Sequence, residues 1–171
     1  MKVSTNESSN DTVGAAFVRL VATLDYPLYI VTTAVGGEPT GCLLGFATQC
    51  SIHPPRFLAC ISRKNHTFHL AKRAAVFAVH VIDEKNKALA ELFGGETGDA
   101  VDKFAQVRWH LVDGVPILDG CPRWFTGSVL EQIDFGDHVG HLLEPLKVQT
   151  GSAADQLTYQ QARDIDPGHK P

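Results

Sequence analysis

The chain has 171 residues and a mass of 18.6 kDa, enough for one domain with a sizeable core. Its 44% hydrophobic and 20% charged residues are those of an ordinary globular protein, and a net charge of −4 with a pI of about 6.0 leaves no electrostatic footprint for nucleic acid. No apolar run reaches the roughly 18–20 residues that cross a bilayer, and the polar stretch Met1–Asp11 lacks the apolar centre of a signal peptide, so the expectation is a cytoplasmic protein with neither a membrane nor a nucleic-acid partner.

Residues 1–12 read as a disordered lead-in. A helix is predicted from Val13 to Leu24, with Phe17, Leu20, Val21 and Leu24 on one face and Asp11 or Thr12 as its cap. Pro27 ends helical character, and Leu28–Val35 is rich in β-branched and aromatic residues, which predicts a strand. Gly36-Gly37 supplies the positive φ of a tight turn, so the chain returns antiparallel to about Phe46. A mixed stretch, Gly45–His53, precedes Pro54-Pro55, which offers no backbone donors to a ladder.

Phe57–Ser62 is a further strand, and Asn65 caps a short helix to about Arg73. Val76–Ile82 is a strand, and Glu84–Phe93 a helix with Ala88, Leu89 and Leu92 inward. A glycine-punctuated loop follows, with a short helical stretch around Asp102, Lys103 and Phe104. Strand signals resume at Trp109–Val112 with a turn at Asp113-Gly114, then over Arg123–Asp134 and His138–Val148. The expected organisation is one domain over 13–150, with 151–171, which includes Asp166-Pro167-Gly168, a loosely attached tail. Many strands joined by tight turns predict a mainly β, antiparallel barrel with peripheral helices.

Several chemistries lack their motifs. Gly36, Gly37 and Gly41 do not form G-x-G-x-x-G, Gly94, Gly95 and Gly98 lack the Lys-Ser/Thr of a P-loop, and no G-x-S-x-G elbow occurs. Cys42, Cys50, Cys60 and Cys121 form no C-x-x-C pair and read as small hydrophobes or, alternatively, as a thiol lining a pocket. Of the eight histidines, His66 and His69 can share a helical face while His138 and His141 are split across a strand, and no ligand set is completed. No metal site is expected.

Four local constellations remain. The first is Gly41-Cys42-Leu43-Leu44-Gly45-Phe46-Ala47-Thr48-Gln49-Cys50-Ser51-Ile52-His53-Pro54-Pro55, the second Ser62-Arg63-Lys64-Asn65-His66-Thr67, the third Asp102-Lys103-Phe104 and the fourth Gly136-Asp137-His138. The second carries an anion argument of its own. Asn65 and Thr67 bring polar groups to a predicted helix start, where unpaired N–H groups point outward, and Arg63 and Lys64 add charge. A plain N-cap with exposed basic side chains explains the same residues. Likewise the first is readable as a distorted edge strand, the third as a surface charge beside a core anchor, and the fourth as an Asx turn opening a strand.

In this order and spacing the four resemble the flavin reductase family, whose fold is the FMN-binding split barrel; the resemblance covers roughly Ala16 to Val148. It implies a homodimer that binds FMN or FAD and takes hydride from NADH or NADPH, with a two-component flavin-dependent monooxygenase as a possible partner. By that resemblance Leu44, Gly45, Phe46, Ala47, Thr48, Gln49 and Cys50 wrap the isoalloxazine ring, chiefly with backbone groups, because its polar edges need complementary partners. Ser62, Arg63, Lys64, Asn65 and Thr67 receive the flavin phosphate, Lys103 and Phe104 lie beside the flavin, and His138 helps seat the nicotinamide. The sequence departs from many members at Leu43, Gly45 and Phe46, where they carry hydroxyls. That departure keeps open a deazaflavin or haem ligand in the same barrel; a flavin-binding protein without turnover is the separate alternative.

Overall fold

The computed structural model describes residues 7–96, 98, 100–166 and 168, with side chains from residue 12 onward. It begins with α1 (Glu7–Val21), so the helix starts upstream of the expected caps Asp11 and Thr12. The first six residues of the expected lead-in lie outside the described residues, as does Pro167. The apolar face of α1 is largely uncovered among the described residues: Phe17 and Leu20, and Leu24 just beyond the helix, are all more than half exposed.

Among the described residues nine strands follow: β1 (Tyr29–Val35), β2 (Glu38–Leu44), β3 (Ala47–Ser51), β4 (Arg56–Ser62), β5 (Val76–Val81), β6 (Trp109–Val112), β7 (Val115–Leu118), β8 (Trp124–Asp134) and β9 (His138–Gln149). Seven form one sheet in the order β2-β1-β5-β8-β9-β4-β3, every neighbour antiparallel, while β6 and β7 make a separate hairpin. The β1–β2 turn has positive φ at both Gly36 and Gly37, the mirror-image turn that the sequence predicts.

The sheet is wrapped on itself. Val31 and Cys42 from one end meet Ala59 and Ile61 from the other in a single buried cluster with Phe77, Val79 and Leu143. Residues of non-neighbouring strands share that interior only if the sheet curls, and β2 indeed approaches β4 without a hydrogen-bonded ladder. The expected mainly β antiparallel barrel is therefore what forms. α2 (His66–Ala71) contributes Ala71 to this interior. A second apolar layer lies outside, where Leu28, Ile30 and Ile82 pack with Phe93 of α3 (Lys87–Gly95), Phe104, Leu118 and Leu157. β1 is thus buried on both faces, which explains why Ile30 and Val31 are apolar in succession.

Two expectations change. The helix after Asp83 opens as a 3-10 turn over Glu84–Asn86, at three residues per turn, before becoming α-helical. The altered phase buries Ala90 and Phe93, leaves Leu89 and Leu92 half-buried, and turns Ala88 outward. The segment from Gly151, expected as a loose tail, is docked: Leu28 N–H donates to the Leu157 carbonyl (3.0 Å) and Leu157 N–H to the Ile82 carbonyl (2.8 Å). Leu157 is only 2% exposed. One apolar residue flanked by polar ones gives no periodic signal, but it suffices to anchor a strand-like segment. α4 (Tyr159–Ala162) then starts with a capping box between Thr158 and Gln161.

His80 joins three pieces of this architecture. It is wholly buried; its Nε2 accepts from Leu118 N–H (3.1 Å) and its Nδ1 donates to the Ile30 carbonyl (3.0 Å). Accepting at Nε2 requires the neutral ring with its proton on Nδ1. Burial pushes its pKa down to about 4 from an ordinary 6.5. The unfolded chain therefore takes up a proton between those values while the fold does not, so stability is full above about pH 6.5 and falls as pH drops towards 4. We expect a loss on the order of 3 kcal/mol across that window by denaturant titration, and expect His80→Gln to abolish this part of the pH dependence.

Candidate active site

The chain leaves β2 at Leu44 and enters β3 at Ala47, and these strands lie on opposite edges of the sheet. The link Gly45-Phe46 therefore crosses the split in the barrel wall. The Gly45 and Phe46 carbonyls accept from Ala47 and Cys60 N–H, but among the described residues the Gly45 and Phe46 N–H groups donate no backbone bond. Beside them opens a crevice of about 380 Å³ lined by Leu43, Leu44, Gly45, Phe46, Cys60, Ser62, Asn65 and His138 on the barrel side. Tyr26, Leu28, Phe93, Gly94, Tyr159, Ala162, Arg163 and Ile165 close it from outside.

The polar end is built by two turns held together. Arg63 N–H donates to the Asp137 carbonyl (2.9 Å), its Nε to the Gly136 carbonyl (2.8 Å), and its guanidinium pairs with Asp134 (2.7 Å). Gly136 has φ 106°, a conformation that glycine adopts without penalty. Hydrogen bonds from Gly136 N–H and Arg63 hold the Asp134 carboxyl below its usual range. This brings His138 beside Ser62 and Asn65. The His138 ring lies 5.1 Å from the Phe46 ring, centroid to centroid, and its Nδ1 bonds Asp137 (2.8 Å), which lowers the Asp137 pKa. With Nδ1–H given to a carboxylate, Nε2 is the ring atom available to a ligand. Asn65 accepts from Thr67 N–H (3.0 Å) as an N-cap, and Thr67 is buried with its hydroxyl 3.1 Å from that of Thr40.

Not every expected residue arrives here. Ala47, Thr48, Gln49 and Cys50 run away along the exposed edge strand β3, and Thr48 and Gln49 border a separate hollow with Tyr29, Arg56 and Phe57. Arg63 acts as the tie between turns and not as an open cation. Lys103 and Phe104 border a separate crevice of about 330 Å³, which His66 also lines. Lys103 is no surface charge: it is 6% exposed, its ammonium donates to the Phe93 carbonyl (3.0 Å), and burial lowers its pKa. Phe104 stacks edge-on against Phe93 and Trp109 in the outer core. Cys60 does line the crevice, and burial raises its pKa, so it faces the cavity as a neutral thiol.

The outer wall is absent from the sequence reading. Tyr26 stacks on Tyr159 (4.8 Å, 13° between planes) and also covers Gly45: a Cβ at Gly45 would sit 2.7 Å from the Tyr26 ring. Gly45 is therefore a place where two parts of the chain close up and a hydroxyl-bearing residue does not fit. The pairing of a glycine with a distant tyrosine has no local signature.

Residues 21–166 match the model of the flavin reductase like domain. The chain belongs to that family. The match extends beyond Val148 through the docked C-terminal segment. Among relatives, a Rhizobium meliloti protein named as a flavin reductase is 31% identical over 64% of this chain and 35% of its own length. The reductase component of a Rhodococcus opacus 4-nitrophenol 4-monooxygenase/4-nitrocatechol 2-monooxygenase is 28% identical over 87% of this chain and 78% of that one. "FMN reductase (NADH) RutF" of Variovorax paradoxus is 27% identical over 85% and 81%. This chain thus spans about a third of the length of the first relative. In solved structures, an FMN-binding protein of Thermus thermophilus superposes with a TM-score of 0.70 at 29% identity over 75% of this chain and 72% of that one. A flavin reductase domain protein of an Arthrobacter species gives 0.78 at 22% over 85% and 90%, a likeness of fold.

Gly45→Ser should displace the Tyr26 ring from a site it already fills. We expect about 1–3 kcal/mol of destabilisation, read by thermal unfolding, together with a changed near-UV circular dichroism signal from the Tyr26–Tyr159 pair.

Proposed function

We propose that the chain is an NAD(P)H-dependent flavin reductase that binds FMN or FAD in the crevice between Gly45-Phe46 and the C-terminal segment. The observation that carries this reading is the pair of backbone N–H groups at Gly45 and Phe46, which donate no backbone bond among the described residues, beside a largely apolar crevice whose lining includes Ser62, Asn65 and His138. A planar heterocycle with acceptor atoms along one edge suits a cleft of this size and donor set. Bound there, the flavin would supply the hydride chemistry, accepting from the nicotinamide and passing electrons onward.

The chain's own residues bind and orient. Leu43, Leu44 and Phe93 exclude water from the ring's faces, and Gly45 and Phe46 offer N–H groups to its edge. The Ser62–Thr67 turn, with Lys64 and the Ser62 hydroxyl, is the candidate seat for the flavin phosphate. His138, fixed by Asp137 and packed on Phe46, presents Nε2 to the carboxamide of a nicotinamide. Thr48, Gln49, Lys103 and Phe104, which border other hollows, and Cys50, exposed on the edge strand β3, have no direct part in this reading.

The reading extends to supply of reduced flavin to a separate monooxygenase, supported by relatives named as reductase components. It also includes a homodimer, supported by the apolar face that α1 leaves uncovered. No described helix is long and apolar enough to cross a membrane.

Purified protein mixed with FMN or FAD and with NADH or NADPH should deplete the nicotinamide absorbance. Flavin binding without oxidation of either donor would instead identify a carrier. His138→Ala should lower kcat/KM for the donor by about tenfold, the scale of one lost hydrogen bond in a desolvated site, while the flavin dissociation constant changes little. Unchanged kinetic constants would remove His138 from the reaction.

A further inference from the structure

Among the described residues lining the crevice, Arg163 alone carries a permanent charge. It is mounted with unusual care for a residue near a C-terminus. Its segment is fixed by the Leu157 backbone bonds, by Tyr159 N–H donating to the Tyr26 carbonyl (2.9 Å) and by the Tyr26–Tyr159 stack. Lys87 anchors the far side, donating to the Gln161 carbonyl (3.1 Å) and pairing with both Asp164 oxygens (2.7 and 2.9 Å). That pairing matters electrostatically, because it occupies the carboxylate adjacent to Arg163 in sequence.

Arg163 itself has a single contact, a long one of 3.5 Å from Nη1 to Gln160 Oε1, and no carboxylate within ion-pair distance among the described residues. A guanidinium on a fixed mount, at the mouth of an apolar crevice and with its fork unfilled, is preorganised for a bidentate anion. Ordering costs little there, because the backbone is already held.

Resting on the flavin reductase reading, we propose that Arg163 is a phosphate anchor of this crevice, holding a phosphate of the nucleotide that enters it. That phosphate belongs either to the flavin or to the dinucleotide donor. Arg163 would then be a specificity-determining residue contributed by a segment outside the barrel, in addition to the Ser62–Thr67 turn that the sequence singles out.

Equilibrium titrations by fluorescence and calorimetry separate the sources. The wild-type protein, Arg163→Ala and Arg163→Lys are each titrated with riboflavin, FMN, FAD, NAD+ and NADP+ at several salt concentrations. Arg163→Ala should bind at least one phosphate-bearing ligand about tenfold more weakly, with a shallower salt dependence, while riboflavin affinity stays unchanged. Arg163→Lys should recover part of the loss, keeping the charge without the fork. Weakening confined to FMN and FAD assigns the flavin phosphate, and weakening confined to NAD+ and NADP+ assigns the donor. Wild-type affinity for all phosphate ligands in Arg163→Ala, or riboflavin weakened in parallel with FMN, overturns the anchor. A wild-type protein that binds neither flavins nor dinucleotides overturns the flavin reductase reading as well. Equal melting temperatures for the three proteins confirm that the exposed substitution leaves the fold intact.

Discussion

Arg63 ties the turn after β4 to the turn between β8 and β9, through its own N–H, its Nε and its terminal nitrogens. Each bond is exposed, and an exposed ion pair of this kind adds at most about 1 kcal/mol to stability. Its consequence is geometric. The β4 and β9 strands already pair, with Ser62 opposite His138, but strand ends fray without a constraint beyond the last ladder bond. Three convergent bonds to Asp134, Gly136 and Asp137 fix the turn that carries His138 against the one that carries Asn65. The polar end of the crevice depends on that tie.

The apolar part depends on topology. β2 and β3 are consecutive in sequence yet occupy opposite edges of a seven-stranded sheet. A two-residue link can join them only because the sheet curls until its edges lie close together. Gly45 and Phe46 then cross the gap, and although the Phe46 carbonyl accepts from Cys60 N–H of β4, among the described residues neither N–H donates a backbone bond. A pair of backbone donors left without backbone partners beside a cleft is thus a consequence of a barrel whose edges approach without forming a ladder.

This explains which features were legible in the sequence. Strands with β-branched runs, the Gly36-Gly37 turn and the Asn65 cap are local, and their residues encode them. The edge position of β3 is also local, visible in its polar Thr48-Gln49. What sequence could not show was pairing across distance: Tyr26 on Gly45, Tyr159 on Tyr26, Arg63 on Asp134, and Lys103 beneath Phe93. Lys103 illustrates the point, since nothing near it in sequence signals that its ammonium will be buried against a carbonyl. Four constellations in order were enough to place the family, but which atoms of each line the crevice needed the fold.

The C-terminal segment shows how one buried leucine changes what a protein's surface can do. Residues 151–156 are exposed or half-buried and small or polar, and Leu157 is the first of the segment to enter the outer core, where Ala162 follows it. Once it is held there, α4 is delivered to the mouth of the crevice with its orientation fixed by Tyr159 and Lys87. The barrel residues that line the cleft offer hydrogen bonds and apolar faces, and the docked segment adds the guanidinium of Arg163. Under the proposed function, two structural layers would then share the recognition of one nucleotide, the barrel meeting its flat ring and the Ser62–Thr67 turn and Arg163 meeting its ionised phosphates. A free tail could carry the same arginine, but it would lose in ordering entropy what it gained in charge.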